Sequence, residues 1–310
     1  MKFLDLFAGI GGFRLGMERA GHECVGFCEI DPFARKSYKV IHDTEGELEF
    51  HDITAVTDKS VRGIGRVDVI CGGFPCQAFS IAGKRAGFED TRGTLFFEIA
   101  RFASILRPKY LFLENVTGLL NHDNGNTFET ILGALDELGY DAEWQVFNSK
   151  NFGVPQNRER VFIIGHLRGA GGRAIFPFGG DSKEAGNIQG QPTNTITARY
   201  GEAQGSGSYV IESKQQKILQ RGHGYNQGGE HDTAPTLTSN SWQENNHLLN
   251  GIHIRKLTPR ECWRLQGFPD WAFDRAQAVN SNSQLYKQAG NSVTVNVIEA
   301  IARRLEETDE

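Results

Sequence analysis

Apolar positions fall into short runs separated by stretches of helical periodicity from the start of the chain to about residue 165. The runs at 2–7, 23–29, 67–71, 110–114, 142–148 and 160–165 read as strands. The amphipathic stretches at 12–20, 31–40, 95–105 and 127–138 read as helices. Strands alternating with helices build βαβ units, so an α/β fold with a mixed, mostly parallel sheet is expected.

The pattern then breaks. From Gly165 to Gly251 the chain holds 16 Gly among many Ser, Thr, Asn and Gln, with little periodicity. Phe176, Phe178, Tyr200, Tyr209, Tyr225 and Trp242 are too many aromatics for a spacer, so a small loop-rich domain is expected rather than a linker. A faint echo, NTITAR at 194–199 against PTLTSN at 235–240, is too brief for a repeat architecture. Regular patterning returns after Arg255, where LTPRECWRLQGFP suggests a helix begun by Thr258 and Pro259. The last stretch, GNSVTVNVIEAIARRLEE, predicts a helix that packs back on the α/β unit. The division expected is 1–167 plus 282–310 as one domain and 168–281 as the other.

Composition narrows the class. With 39% hydrophobic residues and a net charge of -5 the chain is not globally disordered. No apolar run approaches the roughly 20 residues needed to span a bilayer, so no membrane association is expected. Asp5 interrupts the apolar start, which argues against a secretory signal. The five cysteines, Cys24, Cys28, Cys71, Cys76 and Cys262, form neither a C-x-x-C pair nor a zinc-finger spacing. Free thiols in a reducing, cytoplasmic compartment are expected, with no metal site. Charge is uneven: residues 1–150 hold 16 Lys+Arg against 22 Asp+Glu, and residues 151–310 hold 17 against 16. Two basic clusters, Lys150 to Arg173 and Arg255 to Arg264, flank the Gly-rich tract and suggest a polyanionic partner.

Three segments carry chemistry. In FAGIGGF the first strand meets Gly9, Gly11 and Gly12, where the backbone can approach a ligand at a helix N-terminus. Arg14 stands where the dinucleotide fingerprint needs a glycine, which disfavours a pyrophosphate. Glu29, 20 residues after Gly9 at the end of the second strand, suits ribose hydroxyls, so a nucleoside cofactor without a diphosphate fits both. In GGFPCQAFS, Cys76 follows a strand at the sheet edge where open α/β folds place ligands, and a thiolate there can attack an electron-poor carbon. Glu114 of LENV ends another strand at the same edge, as a possible proton donor to a ring nitrogen.

With these segments in view, the chain resembles the bacterial DNA (cytosine-5) methyltransferases of the restriction–modification type. The stretches DLFAGIGGF, CEID, HDI, GGFPCQAFS, RGTLFFEIAR, LENV, PQNRER, RKLTPRECWRLQGFP and QAGNSVTVNVIEAI occur in family order, with a variable tract before RKLTPRE. The resemblance implies a Rossmann-like fold that binds S-adenosyl-L-methionine. Phe7, Gly9, Ile10, Gly11 and Gly12 would lie against the cofactor, with Glu29 on the ribose and Asp52 and Ile53 at the adenine. Leu95 and Pro75 would lie alongside, and Asn291, Ser292 and Val293 would close the pocket. Ile30 occupies a place where some members have an aromatic residue, so the adenine would meet an aliphatic face.

It further implies that Cys76 attacks C6 of a flipped-out cytosine in a specific short duplex sequence while Glu114 assists at N3. Arg158 and Arg160 would anchor the flipped nucleotide, with Arg160 at the cytosine O2. The stretch 83–93, with Lys84, Arg85 and Arg92, would close on the DNA, and the 168–281 tract would select the target. Thr236 and Leu237 match a pair common in such domains, and Arg199, Arg221, Gln227, Asn240 and Gln243 are candidate base readers. A monomer on double-stranded DNA is expected, in a bacterium or phage, with any cognate restriction endonuclease acting without stable binding. The tRNA-methylating branch shares the catalytic motifs but lacks this type of tract, so the roughly 85 residues from Arg168 to Ile252 favour DNA. Cys76, Glu114 and Arg160 together disfavour a catalytically inactive DNA-binding regulator.

Overall fold

The computed structural model describes residues 1–75, 95–178, 193–194, 218–220, 229–231, 247–248 and 256–306. Its centre is a seven-stranded sheet built from β1 (Lys2–Leu6), β2 (Glu23–Cys28), β3 (Leu48–Phe50), β4 (Val69–Gly73), β5 (Tyr110–Val116), β6 (Tyr140–Asn148) and, after the two-residue β7 (Gln156–Asn157), β8 (Glu159–Leu167). The order is β3-β2-β1-β4-β5-β8-β6, with β1 to β5 mutually parallel and β8 antiparallel to both of its neighbours. The mixed, mostly parallel α/β sheet read from the sequence is the one observed.

The period-2 geometry of a strand sends successive side chains to opposite faces, and both faces here are apolar. Leu4, Leu6, Ile70, Leu111, Leu113 and Ile163 face α4 (Leu95–Leu106) and α5 (Asn126–Glu137), where they pack with Phe96, Ile99, Phe102, Ile131 and Leu135. The intervening Phe3, Val69, Cys71, Phe112, Phe162 and Ile164 face α1 (Gly12–Arg19) and α9 (Val295–Glu306), meeting Phe13, Met17, Val297, Ile298 and Ile301. A Cβ on Gly16 would lie 2.5 Å from the Ile298 Cβ, so only glycine lets α1 and α9 pack this closely. The C-terminal segment therefore completes one face of the sheet, as its apolar spacing suggested.

A third cluster joins the two halves of the chain. Ile10, Leu15, Ala34 and Ile41, from the first turn, α1 and α2 (Pro32–Ile41), pack with Trp263, Phe273, Leu285 and Ala289. These come from α6 (Pro259–Leu265), α7 (Asp270–Gln277) and α8 (Asn282–Asn291). The helix expected at Thr258 is present, and its Thr258 and Glu261 form a reciprocal capping box. Residues 175–178 also return to the sheet. Glu143 of β6 accepts the backbone N–H groups of Ile175 and Phe176, Gln145 accepts that of Phe178, and both phenyl rings pack against Phe147.

Three features were not anticipated. β3 and α3 (Asp58–Arg62) are too short to give a periodic signal. Helices α7 and α8, between the two helices read from the C-terminal pattern, are additional; α8 ends at Ser292 in extended backbone, and the expected last helix begins at Val295, whose N–H donates to the Gln266 carbonyl. Arg14 is buried at the β1–α1 end, bonded to Glu18, to both carboxylate oxygens of Glu47 and to the Asp43 carbonyl.

Candidate active site

A cavity of about 430 Å³ opens at the carboxyl ends of β1, β2, β4 and β5, with α8 as its far wall. Parallel strands end in loops at one edge, and the catalytic unit of an open α/β fold collects its groups there. The turn after β1 contributes Phe7, Gly9 and Ile10. Phe7 and Gly9 take positive φ values of 55° and 56°, a conformation that costs a non-glycine residue free energy and turns the backbone toward the cavity. A Cβ on Gly9 would meet nothing within 4 Å, so this glycine leaves room beside the cavity. Gly11 and Gly12 serve packing instead: a Cβ on Gly11 would lie 2.0 Å from the His42 ring, and one on Gly12 would lie 2.7 Å from the Ser292 Oγ.

Glu29 follows β2 and lines the cavity. Its Oε2 accepts the Gly9 N–H at 2.7 Å and its Oε1 accepts the Asp31 N–H at 2.7 Å. Burial pushes its carboxyl above the usual range, against the lowering effect of those two hydrogen bonds. Each oxygen keeps lone-pair capacity for one more donor, which fits the paired hydroxyls of a ribose. Together with the space at Gly9, this donor set fits a nucleoside cofactor.

The other polar pole of the cavity is Glu114, at the end of β5. It stands in register with Gly73 of β4, and a Cβ on Gly73 would approach the Glu114 Oε2 to 3.0 Å. The second glycine of GGFPC thus makes room for this carboxylate. From β8, Arg160 sets its Nε 2.9 Å from Glu114 Oε1, in a pair whose side chains are only 16% and 11% exposed. Burial lowers the Arg160 pKa, and the adjacent Glu114 opposes that shift. Arg158, also on the cavity wall and buried, donates from Nη2 to the carbonyls of Gly290 and Ser292, binding the β7–β8 link to the α8–α9 break. Pro75 lines the cavity directly after the Phe74 carbonyl, which accepts from the buried Asn115 side chain at 2.9 Å.

The structure thus brings together Phe7, Gly9, Ile10, Glu29, Pro75, Glu114, Arg158, Arg160 and Asn291 around one cavity. Other residues expected at the site lie beyond its lining. Ser292 and Val293 are buried behind Gly12, Ile53 is in the core, and Leu95 begins α4 against the same apolar cluster as Phe7. Asp52 caps a short 3-10 helix through the Thr54 N–H and hydroxyl, while Ile30 is 66% exposed near Glu29 in the chain. Cys76, the 83–93 stretch with Lys84, Arg85 and Arg92, and the candidate base readers from Arg199 to Gln243 lie outside the described residues. The remaining thiols are buried, and burial pushes those of Cys24 and Cys28 up to about 12 and that of Cys71 well above the ordinary range.

Asp31, Asn115, Lys287 and Gln288 also line the cavity and were not anticipated. Asn115 and Gln288 each stand in a quoted motif, LENV and QAGNSVTVNVIEAI, whereas Lys287 carried no signal. Among the described residues no cluster could hold a metal ion, and no helix is long and apolar enough to cross a membrane.

Comparison with known proteins agrees with this architecture. The family model described as C-5 cytosine-specific DNA methylase matches residues 1–307. The chain is 39% identical to the type II methyltransferase M.HpaII of Haemophilus parainfluenzae, over 98% of this chain and 88% of that protein. It is 38% identical to the type II methyltransferase M.HhaI of Haemophilus parahaemolyticus, over 97% and 93%. Among solved structures, the S. pombe Dnmt2 methyltransferase shares the fold with a TM-score of 0.65 at 21% identity, covering 98% of each chain. The chain belongs to the C-5 cytosine-specific DNA methylase family and is an enzyme of that class, a DNA (cytosine-5-)-methyltransferase.

Proposed function

We propose that the chain methylates C5 of one cytosine within a specific short sequence of duplex DNA, as the modification enzyme of a restriction–modification system, with S-adenosyl-L-methionine as methyl donor. The observation that carries this reading is the pair of differently held carboxylates on one cavity, Glu29 toward a nucleoside and Glu114 with Arg160 toward a base. When bound, the cofactor supplies an electrophilic methyl group. Gly9 leaves room for it, Glu29 accepts its ribose hydroxyls, and Asn291 bounds its pocket from α8.

The chain's own residues prepare the base. Because C6 cannot be reached in a stacked duplex, the cytosine is flipped into the cavity, at a cost of a few kcal/mol of unstacking. The Cys76 thiolate forms a bond to C6, and Glu114 supports protonation at N3, so the electron pair is directed to C5. C5 then takes the methyl group, its proton is lost to a base, and elimination expels Cys76 and restores the aromatic ring. Arg160 holds Glu114 and reaches the cytosine O2, while Arg158, bonded to the Gly290 and Ser292 carbonyls, fixes the wall on which the nucleotide rests.

Target selection falls to the 168–281 tract. Within it, residues 175–178 and 257–277 pack on the catalytic unit, which leaves 179–255 as the part that reads bases. The enzyme works as a monomer in the cytoplasm, without stable binding to a restriction endonuclease.

Duplex DNA carrying 5-fluorocytosine at the target tests this reading. Fluorine cannot leave as a proton does, so after methyl transfer the chain remains covalently attached to DNA, in an adduct that survives denaturation and high salt. Peptide mapping is expected to place the bond on Cys76, not on the fully buried Cys71. An adduct on substituted tRNA with none on DNA would replace the DNA substrate by RNA, and a mapped bond elsewhere would remove Cys76.

A further inference from the structure

Helix α8 is tied to the first turns of α2 at the rim of the cavity, across about 250 residues of sequence. Lys287 donates from Nζ to Asp31 Oδ2 at 2.8 Å, Gln288 donates from Nε2 to the Phe33 carbonyl at 3.1 Å, and the Ser37 hydroxyl donates to Gln288 Oε1 at 2.9 Å. Lys287, Gln288 and Asp31 all face the cavity. Asp31 is the joint of this arrangement. Its Oδ1 caps α2 by accepting from the Phe33 and Ala34 N–H groups, and its own N–H donates to Glu29 Oε1.

We infer that Lys287 is a positioning residue for the nucleoside cofactor: its ion pair with Asp31 fixes the backbone N–H that orients Glu29. The inference rests on the reading that Glu29 accepts the ribose hydroxyls. At 42% and 25% side-chain exposure the Lys287–Asp31 pair contributes little to folding, because solvent screens it. Its consequence is local. Asp31 lies two residues from Glu29, and its negative charge raises the Glu29 pKa. Lys287 neutralises that charge. Burial works to raise the Asp31 carboxyl, and the hydrogen bonds from Lys287 and from the Phe33 and Ala34 backbone outweigh it. The other titratable groups facing Glu29 are Arg35, which donates to the Glu29 carbonyl, the buried Asp5 of β1, whose pKa burial raises, and the Cys28 thiol. Removing Lys287 therefore loosens the Asp31 turn and leaves Glu29 beside an unneutralised carboxylate.

The test titrates S-adenosyl-L-methionine calorimetrically into the full chain without DNA, using Lys287→Met and Asp31→Asn, which retains a side-chain oxygen for the cap. Each variant is expected to weaken binding by about 3- to 10-fold, the range for one lost polar contact. The double variant should be no weaker than either single one, and Lys287→Arg should restore affinity. The acid limb of binding should move to higher pH in Lys287→Met, a change that mere loss of packing would not cause. Wild-type affinity in both single variants, or fully additive losses in the double one, would overturn the inference. Glu29→Ala in the same titration separates the two readings. Unchanged affinity there removes the ribose assignment and this inference with it, whereas a loss there beside an intact Lys287→Met overturns this inference alone.

Discussion

Glu29 directly follows β2, Glu114 lies near the carboxyl end of β5, and both face one cavity, yet opposite kinds of donor hold them. Glu29 is fixed by two backbone N–H groups, from Gly9 and Asp31, whose directions are set by the turns that carry them. Glu114 is fixed by a side chain, the Arg160 guanidinium of the antiparallel neighbour β8. Backbone donors make a rigid acceptor of fixed direction, suited to a ligand that must sit in one pose. A guanidinium partner brings charge and a long arm, suited to a group whose protonation partner arrives with the substrate and departs with the product. Neutral amides leave burial as the dominant influence on Glu29, and its pKa rises accordingly.

The comparison breaks most visibly at Glu114. Glu114→Gln keeps the shape and removes the acid, so methyl transfer in single-turnover experiments is expected to fall by about 10²- to 10⁴-fold while cofactor affinity stays as in the wild type. A comparable loss of cofactor binding would mean that the two carboxylates do not divide the work. Arg160→Met should come next. It leaves Glu114 without its ionic partner, and the melting transition is expected to reveal a loss of about 2 kcal/mol or more. A fully buried pair would cost about 3–5 kcal/mol, but both side chains here retain some solvent contact. An unchanged melting temperature would show that the pair is dispensable to the fold.

The smallest effect is expected at Glu29, where loss of one acceptor to the ribose in Glu29→Ala weakens the cofactor by about 1.5–3 kcal/mol and leaves DNA affinity unchanged. Its pH dependence sharpens the contrast. A carboxyl whose folded-state pKa is raised favours the fold when protonated, and that contribution is lost as pH rises through the raised pKa. Cofactor binding has the opposite sign, because it needs the ionised acceptor. Affinity should therefore start to fall, on acidification, at a higher pH than for an ordinary glutamate. An acid limb that persists unchanged in Glu29→Ala would assign the titration to another group.

The alternation of Leu4 and Leu6 with Phe3, and of Leu111 and Leu113 with Phe112, is written in the chain, and it sends apolar groups to both faces of the sheet. A strand's period is a local property, so the α/β class and the sheet-edge positions of Glu29 and Glu114 were legible from sequence. The helix start at Thr258 and Pro259 was legible for the same reason, since a helix start depends on neighbours within four residues.

Other features depend on contacts that no local pattern carries. Gly9, Gly11 and Gly12 look alike in FAGIGGF, but only the packed structure separates the glycine at the cavity from those that admit His42 and Ser292. Arg158 and Arg160 are two residues apart, and the fold turns one to backbone carbonyls of the C-terminal segment and the other to Glu114. The last helix starts only at Val295, after α8 has ended, and the Gln266 carbonyl that receives the Val295 N–H comes from another helix end. Lys287 meets Asp31 across 256 residues because α8 packs on α2 through a shared apolar cluster. The sequence by itself determined which groups stand at strand and helix ends, because backbone geometry and side-chain period act over a few residues. The tertiary structure alone decided which of those groups meet, because meeting depends on how whole faces pack.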